Sequence, residues 1–91
     1  MEDLRVSDFS VGDSFDVEAG EAVFALAVER VEELPKAARD AGAFRLEFRG
    51  PAQPVLPQAT YRFNGSARSD DIFIVPIAAG ADGARYEAIF V

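Results

Sequence analysis

The sequence predicts an all-β fold: about six antiparallel strands, rolled into a small barrel or stacked as a compact sandwich. Three observations carry that expectation. Apolar side chains recur at every second position through most of the chain, which places them on one face of a strand. Short glycine-bearing turns separate several of these runs. Helical patterning is confined to short turns near the N-terminus and at 35–41, where Pro35 can open a turn and Gly42 can close it.

In chain order, "SFDVEA" (14–19) sets Phe15 and Val17 against Asp16 and Glu18. Gly20 then suits a two-residue hairpin turn, because glycine accepts positive φ without steric cost. The next stretch, residues 22–34, has helix-forming composition but alternates as Phe24, Leu26 and Val28 against Ala25 and Ala27. The alternation favours a strand, with a helix as the competing reading. "FRLEFRG" (44–50) directs Phe44, Leu46 and Phe48 inward and Arg45, Glu47 and Arg49 outward. "TYRFNG" repeats the pattern with Tyr61 and Phe63, and Asn64-Gly65 opens a turn. "DIFIVPI" (71–77) is apolar on both faces, which predicts a central strand covered on each side. Pro76 has no N–H to donate, so it belongs at a bulge or where the strand leaves its ladder. Asp82-Gly83 marks a further turn, and "RYEAIFV" places Tyr86, Ala88 and Phe90 on one face.

The 91 residues make a single domain, 1–91, without an internal repeat. The net charge is −7 and unevenly spread: residues 1–33 hold ten acids and two bases, residues 34–91 six acids and seven bases. Binding to nucleic acid needs clustered Lys and Arg to replace phosphate counterions, and the sequence offers no such cluster. The same deficit argues against anionic membranes. The longest apolar stretch, "IFIVPIAA", is too short to span a bilayer, and no signal-peptide pattern is present. The expected location is the cytoplasm by default, with export by a dedicated machine left open.

Pro51, Pro54 and Pro57 recur every three residues, the repeat of a polyproline II helix. A docking ligand of that type needs a flanking Arg or Lys at a set distance, yet Phe48, Leu56 and Ala59 occupy the relevant positions. The segment is therefore expected to be a stiff strap over the protein's own core, anchored by Val55 and Leu56. Gln58, at the strap's end, is placed to satisfy loose backbone groups or to contact a ligand.

Catalytic chemistry is hard to assemble. No histidine or cysteine is present, which removes the usual base near neutral pH and the commonest ligands for zinc. The hydroxyls of Ser7, Ser10, Ser14, Ser66, Ser69 and Thr60, and the single Lys36, have no histidine to activate them. Acid pairs exist at Asp13 and Asp16, Glu32 and Glu33, and Asp70 and Asp71. Neighbouring acids in a strand point to opposite faces, so Asp70 and Asp71 would not share a substrate. Neither a calcium loop nor a glycine-rich phosphate cradle is spelled out. The expectation is a non-enzyme with no catalytic, cofactor or metal residues.

The pieces "FRLEFRGP", "LPQATYRF", "FIVPI" and "YEAIF", with "SDFSVGDSF" before them, resemble a small bacterial domain family of uncharacterised function. The shared positions are Phe44, Leu46, Phe48, Gly50, Pro51, Leu56, Gln58, Tyr61, Pro76, Tyr86, Glu87 and Phe90. The resemblance covers nearly the whole chain and implies a shared fold. It also implies an accessory or structural role beside bacterial fibre or phage-tail-like proteins.

The leading functional expectation is a non-enzymatic interaction or structural module that docks onto a protein partner or onto itself. Its motives are the shortage of catalytic side chains and the apolar strand ending at Phe90 and Val91. The alternative is a small-ligand or carbohydrate-binding barrel whose mouth is lined by Gln58, Tyr61 and Arg62. Glu87 and Phe90 complete the set of expected interface residues.

Overall fold

The computed structural model describes residues 4–35 and 42–91. Six strands form: β1 (Ser14–Ala19), β2 (Ala22–Glu33), β3 (Phe44–Gly50), β4 (Ala59–Asn64), β5 (Ser69–Gly80) and β6 (Gly83–Phe90). All pair antiparallel and close into a barrel in the order β1-β2-β3-β6-β5-β4. The barrel thus decides between the two architectures the sequence left open. Residues 22–33 are strand, as the alternation indicated over the helical composition. One 3-10 turn, Val6–Asp8, precedes the barrel. The helical turn expected at 35–41 falls, apart from Pro35, outside the described residues.

Closure follows from the pattern of side chains. Val17, Leu26, Val28, Phe44, Leu46, Phe48, Phe63, Ile72, Ile74, Tyr86 and Ala88 all point inward and are buried. Removing that much apolar surface from water supplies the main driving force, at about 25 cal/mol per Å². Phe15, Phe48 and Phe63 meet edge-on or tilted, with ring centroids 5.0–6.2 Å apart. Such aromatic contacts add to the area term.

Antiparallel order places the β1–β2 and β5–β6 turns at one end of the barrel, together with the β3–β4 crossing. The 3-10 turn, the β4–β5 hairpin and the last residues of β6 lie at the other. Gly20 takes φ +64° in the two-residue turn between Ala19 and Ala22, as its placement required. The β5–β6 turn is one residue earlier than the Asp82-Gly83 expectation. Gly80 pairs with Gly83, so Ala81 and Asp82 form the loop. Gly83, at φ +129°, lies so close to β3 that a Cβ there would sit 2.7 Å from the Gly50 carbonyl oxygen.

The proline segment crosses the first end as a strap. The chain bends through residues 52–54, so the three rings do not line one edge of a continuous polyproline helix. Leu56 alone is its buried anchor at 5% exposure, while Val55 remains exposed, in contrast to the expected pair. The Leu56 N–H donates to the buried Tyr86 hydroxyl at 2.8 Å, and the Tyr61 hydroxyl donates to the Pro57 carbonyl at 2.6 Å. The strap is thereby tied to β6 and β4.

Two further expectations meet the structure differently. Pro76 does stand at a register shift in the β5–β6 ladder, where a residue without an N–H is tolerated. The strand around it is not covered on both sides, however. Phe73 and Ile77 are exposed on β5, because a single-layer barrel has no second sheet to place against its outer face.

Candidate functional site

The strand alternation that fills the core also disperses the residues expected at a ligand mouth. Tyr61 leans toward the strap and is half-buried, whereas Arg62, its neighbour, points outward and meets Asp71 at 3.1 Å. Gln58 is exposed at the strap's end. Leu56 is buried at that end, and none of the three residues lines the cleft at the other end of the barrel. Burial, with a smaller contribution from Tyr86, raises the Tyr61 phenol above its usual value.

Glu87 belongs to a charged coat over β2, β3 and β6. Direct register sets Glu47 opposite Glu87 and Arg49 opposite Arg85, like against like. Diagonal partners offset both repulsions. Arg45 reaches Glu87 and Glu47, each at 2.5 Å, and Glu32 at 3.6 Å. The register shift in β2 between Val28 and Arg30 leaves Glu29 free to bridge Arg85 at 2.8 Å and Arg49 at 3.7 Å. Hydrogen bonds donated to Glu87 and then to Glu47 hold the Arg45 guanidinium above its ordinary pKa, and the bond donated to Glu29 does the same for Arg85. Arg45→Met should therefore leave three carboxylates facing one another and cost about 1–2 kcal/mol. Molar salt should recover part of that loss, as read by urea midpoints with and without NaCl.

The opposite end carries a cleft of about 180 Å³ that the sequence did not signal. Phe9 and Phe15 supply its apolar wall, and Asp8, Asp13, Arg68 and Asp70 its polar rim. Asp70 follows the inward alternation of Ile72 and Ile74, yet it is a carboxylate. At the rim Arg68 clasps it through two nitrogens, at 2.8 and 3.1 Å, and also reaches Asp8 at 3.5 Å. Main-chain N–H groups of Arg5 and Ser10 occupy one oxygen each of Asp8 and Asp13. Among the described residues, no group of acids is arranged to hold a metal ion. The cleft reads as a capped barrel end.

A different feature lies on the outer wall, where β5 and β6 part. Their ladder runs from the Gly80–Gly83 turn only as far as Val75 opposite Glu87. Beyond it, β5 continues down to Ser69 paired with β4 alone, and β6 continues to Phe90 paired with β3 alone. Extending the Val75–Glu87 register would set Phe73 opposite Ile89, but no ladder pair joins them. Both side chains face solvent, Phe73 at 51% and Ile89 at 52% exposure, with Val91 exposed just beyond. Phe90 turns the other way and stacks on Phe44 with centroids 4.5 Å apart. Of the expected interface residues, Glu87 and Phe90 therefore flank this seam, Arg62 borders it through its contact with Asp71, and Gln58 and Tyr61 lie elsewhere. Composition alone missed Phe73 and Ile89, because their alternation with buried neighbours looks the same whether or not a second layer covers them.

The sealed strap end, the charged coat and the parted β5–β6 wall define a small, single-layer antiparallel β-barrel domain. The chain belongs to the family described as a domain of unknown function, DUF6916, which matches residues 4–90. This agrees with the uncharacterised family its motifs resemble. No curated protein and no solved structure matches the chain.

Proposed function

We propose that this chain is a non-enzymatic interaction module, and that the β5–β6 seam receives a protein partner. The observation that carries this reading is the apolar strip formed by Phe73, Ile89 and Val91, all more than half exposed beside an incomplete ladder. Aromatic and aliphatic side chains exposed together on a small domain are the usual anchors of an interface. A second copy is the less suitable occupant, since each copy carries a net charge of −7 and stacking them concentrates like charge. The chemistry fits a partner segment with apolar anchors and Lys or Arg at its flanks. A role as an accessory subunit of a bacterial fibre or phage-tail-like assembly fits the same mode of action.

The test is selection from a displayed library of random peptides against the purified protein, with Phe73→Asp as the counter-screen. Enriched peptides should combine apolar and basic residues and lose binding roughly 100-fold or more on the variant. The variant itself should melt close to the wild type, because the substituted side chain lies outside the core and is already 51% exposed. Peptides indifferent to Phe73→Asp, or no enrichment, would remove the reading. Light scattering over a hundredfold concentration range should return a monomer mass, and a growing assembly would instead make a second copy the partner.

A further inference from the structure

We infer that the partner segment joins this protein as an added β-strand along the lower half of β5, an inference that rests on the docking reading above. The direction of the main-chain groups decides the point. In an antiparallel hairpin, residues alternate between facing one neighbouring strand and facing the other. The Gly65 N–H donates to the Arg68 carbonyl at 2.8 Å, which fixes the phase of that alternation for the β4–β5 pair. Counting along the register from there, Asp70, Ile72 and Ile74 turn their N–H and C=O groups toward β4. Asp71, Phe73 and Val75 turn theirs toward β6. The phase agrees with the other end of the strand, where Val75 lies opposite Glu87 and Pro76 needs no donor toward β6.

Only Val75 finds its ladder partner. The N–H and C=O groups of Asp71 and Phe73 face a position where β6 is no longer in register contact, and those of Ile89 face it from the other side. An unpaired strand edge in water is a template for another extended chain, and strand addition uses such an edge with alternate side chains setting specificity. Here the alternate side chains are already exposed: Phe73 and Ile89 would clasp an apolar residue of the incoming strand. Asp71, itself outward-facing and paired with the exposed Arg62, would favour a basic residue near it. The inward set, Ile72, Ile74 and Ala88, is buried and keeps the seam from opening into the core. The occupant is therefore an extended, apolar and basic peptide segment paired through its main chain, in preference to a helix laid across the strip.

Amide hydrogen exchange tests this directly. In the free protein, the Phe73 and Ile89 amides should exchange roughly 100-fold faster than those of Ile72, Ile74 and Ala88 in the same strands. Protection of all five to the same degree would show a closed ladder and overturn the inference. With a library-selected peptide that depends on Phe73, the Phe73 and Asp71 amides should become protected. N-methylation of alternate peptide amides should abolish binding in one phase and spare it in the other. A peptide that depends on Phe73 yet leaves both amides unprotected would overturn strand addition while leaving the docking surface intact. Absence of any peptide that depends on Phe73 would remove the docking surface, and strand addition with it.

Discussion

Phe48→Ala should remove a large share of the barrel's stability. Phe48 is fully buried, with its ring 5.0 Å from that of Phe63 and 6.2 Å from that of Phe15. It comes from β3, which pairs with β6 along its whole length and with β2 from Phe44 to Arg49, so the surrounding backbone has little freedom to collapse into the space left behind. Truncating a buried phenylalanine costs about 3–5 kcal/mol, through lost transfer energy and the residual cavity. Small domains hold about 5–15 kcal/mol in total. The urea midpoint should fall by about 40%, from the middle of both ranges, with an unchanged slope, since the variant exposes the same surface on unfolding. A midpoint close to wild type would mean that the aromatic cluster is looser than its geometry indicates.

Tyr86→Phe should have the second-largest effect, and by a different route. The substitution keeps the ring and opens no cavity. It removes the acceptor for the Leu56 N–H, 2.8 Å away in a buried setting. A buried donor left without a partner costs about 1–3 kcal/mol, more than the net value of the bond it lost. The loss should be concentrated in the strap. The Leu56 amide should exchange faster than in the wild type, and protease cleavage should appear within residues 51–58 before the barrel melts. Wild-type protection at Leu56 would show that another group takes over the hydroxyl's place.

Much of the barrel is legible in the sequence because period-two patterning and burial coincide. In β3 each alternate residue is buried and each intervening one is a charged or half-exposed outward residue, so the strand, its face and its neighbours' faces follow together. The hairpins at Gly20 and Gly65 are equally legible, since each depends on local backbone chemistry. Residues 22–33 are less so, because alanine and glutamate favour helix locally and only tertiary pairing with β1 and β3 overrides them. For β5, an apolar outer face is compatible with a covering layer and with an exposed strip, and periodicity contains nothing that separates the two. The cleft at the hairpin end is illegible for another reason. Asp70 meets Asp8 and Asp13 there only because the chain closes on itself, and no local spacing links it to residues so far away in sequence. Arg45 illustrates the intermediate case: its outward direction is readable, but its clasp on Glu87 depends on the β3–β6 register.

The pairing of β1 with β4 is the shortest rung of the ring, limited to Asp16, Val17 and Glu18 opposite Asn64, Phe63 and Arg62. It also joins segments far apart in the chain, so the entropy of the intervening loop must be lost before the contact returns anything. The β1–β2 and β5–β6 hairpins can zip from their own turns without waiting for it. The barrel therefore behaves kinetically like a bracelet with a clasp: two locally nucleated halves that meet late at Val17 and Phe63. That places this small domain among the slower folders for its length. During the interval before the clasp engages, β1 and β4 are unguarded strands, so crowding by nascent copies is most hazardous then.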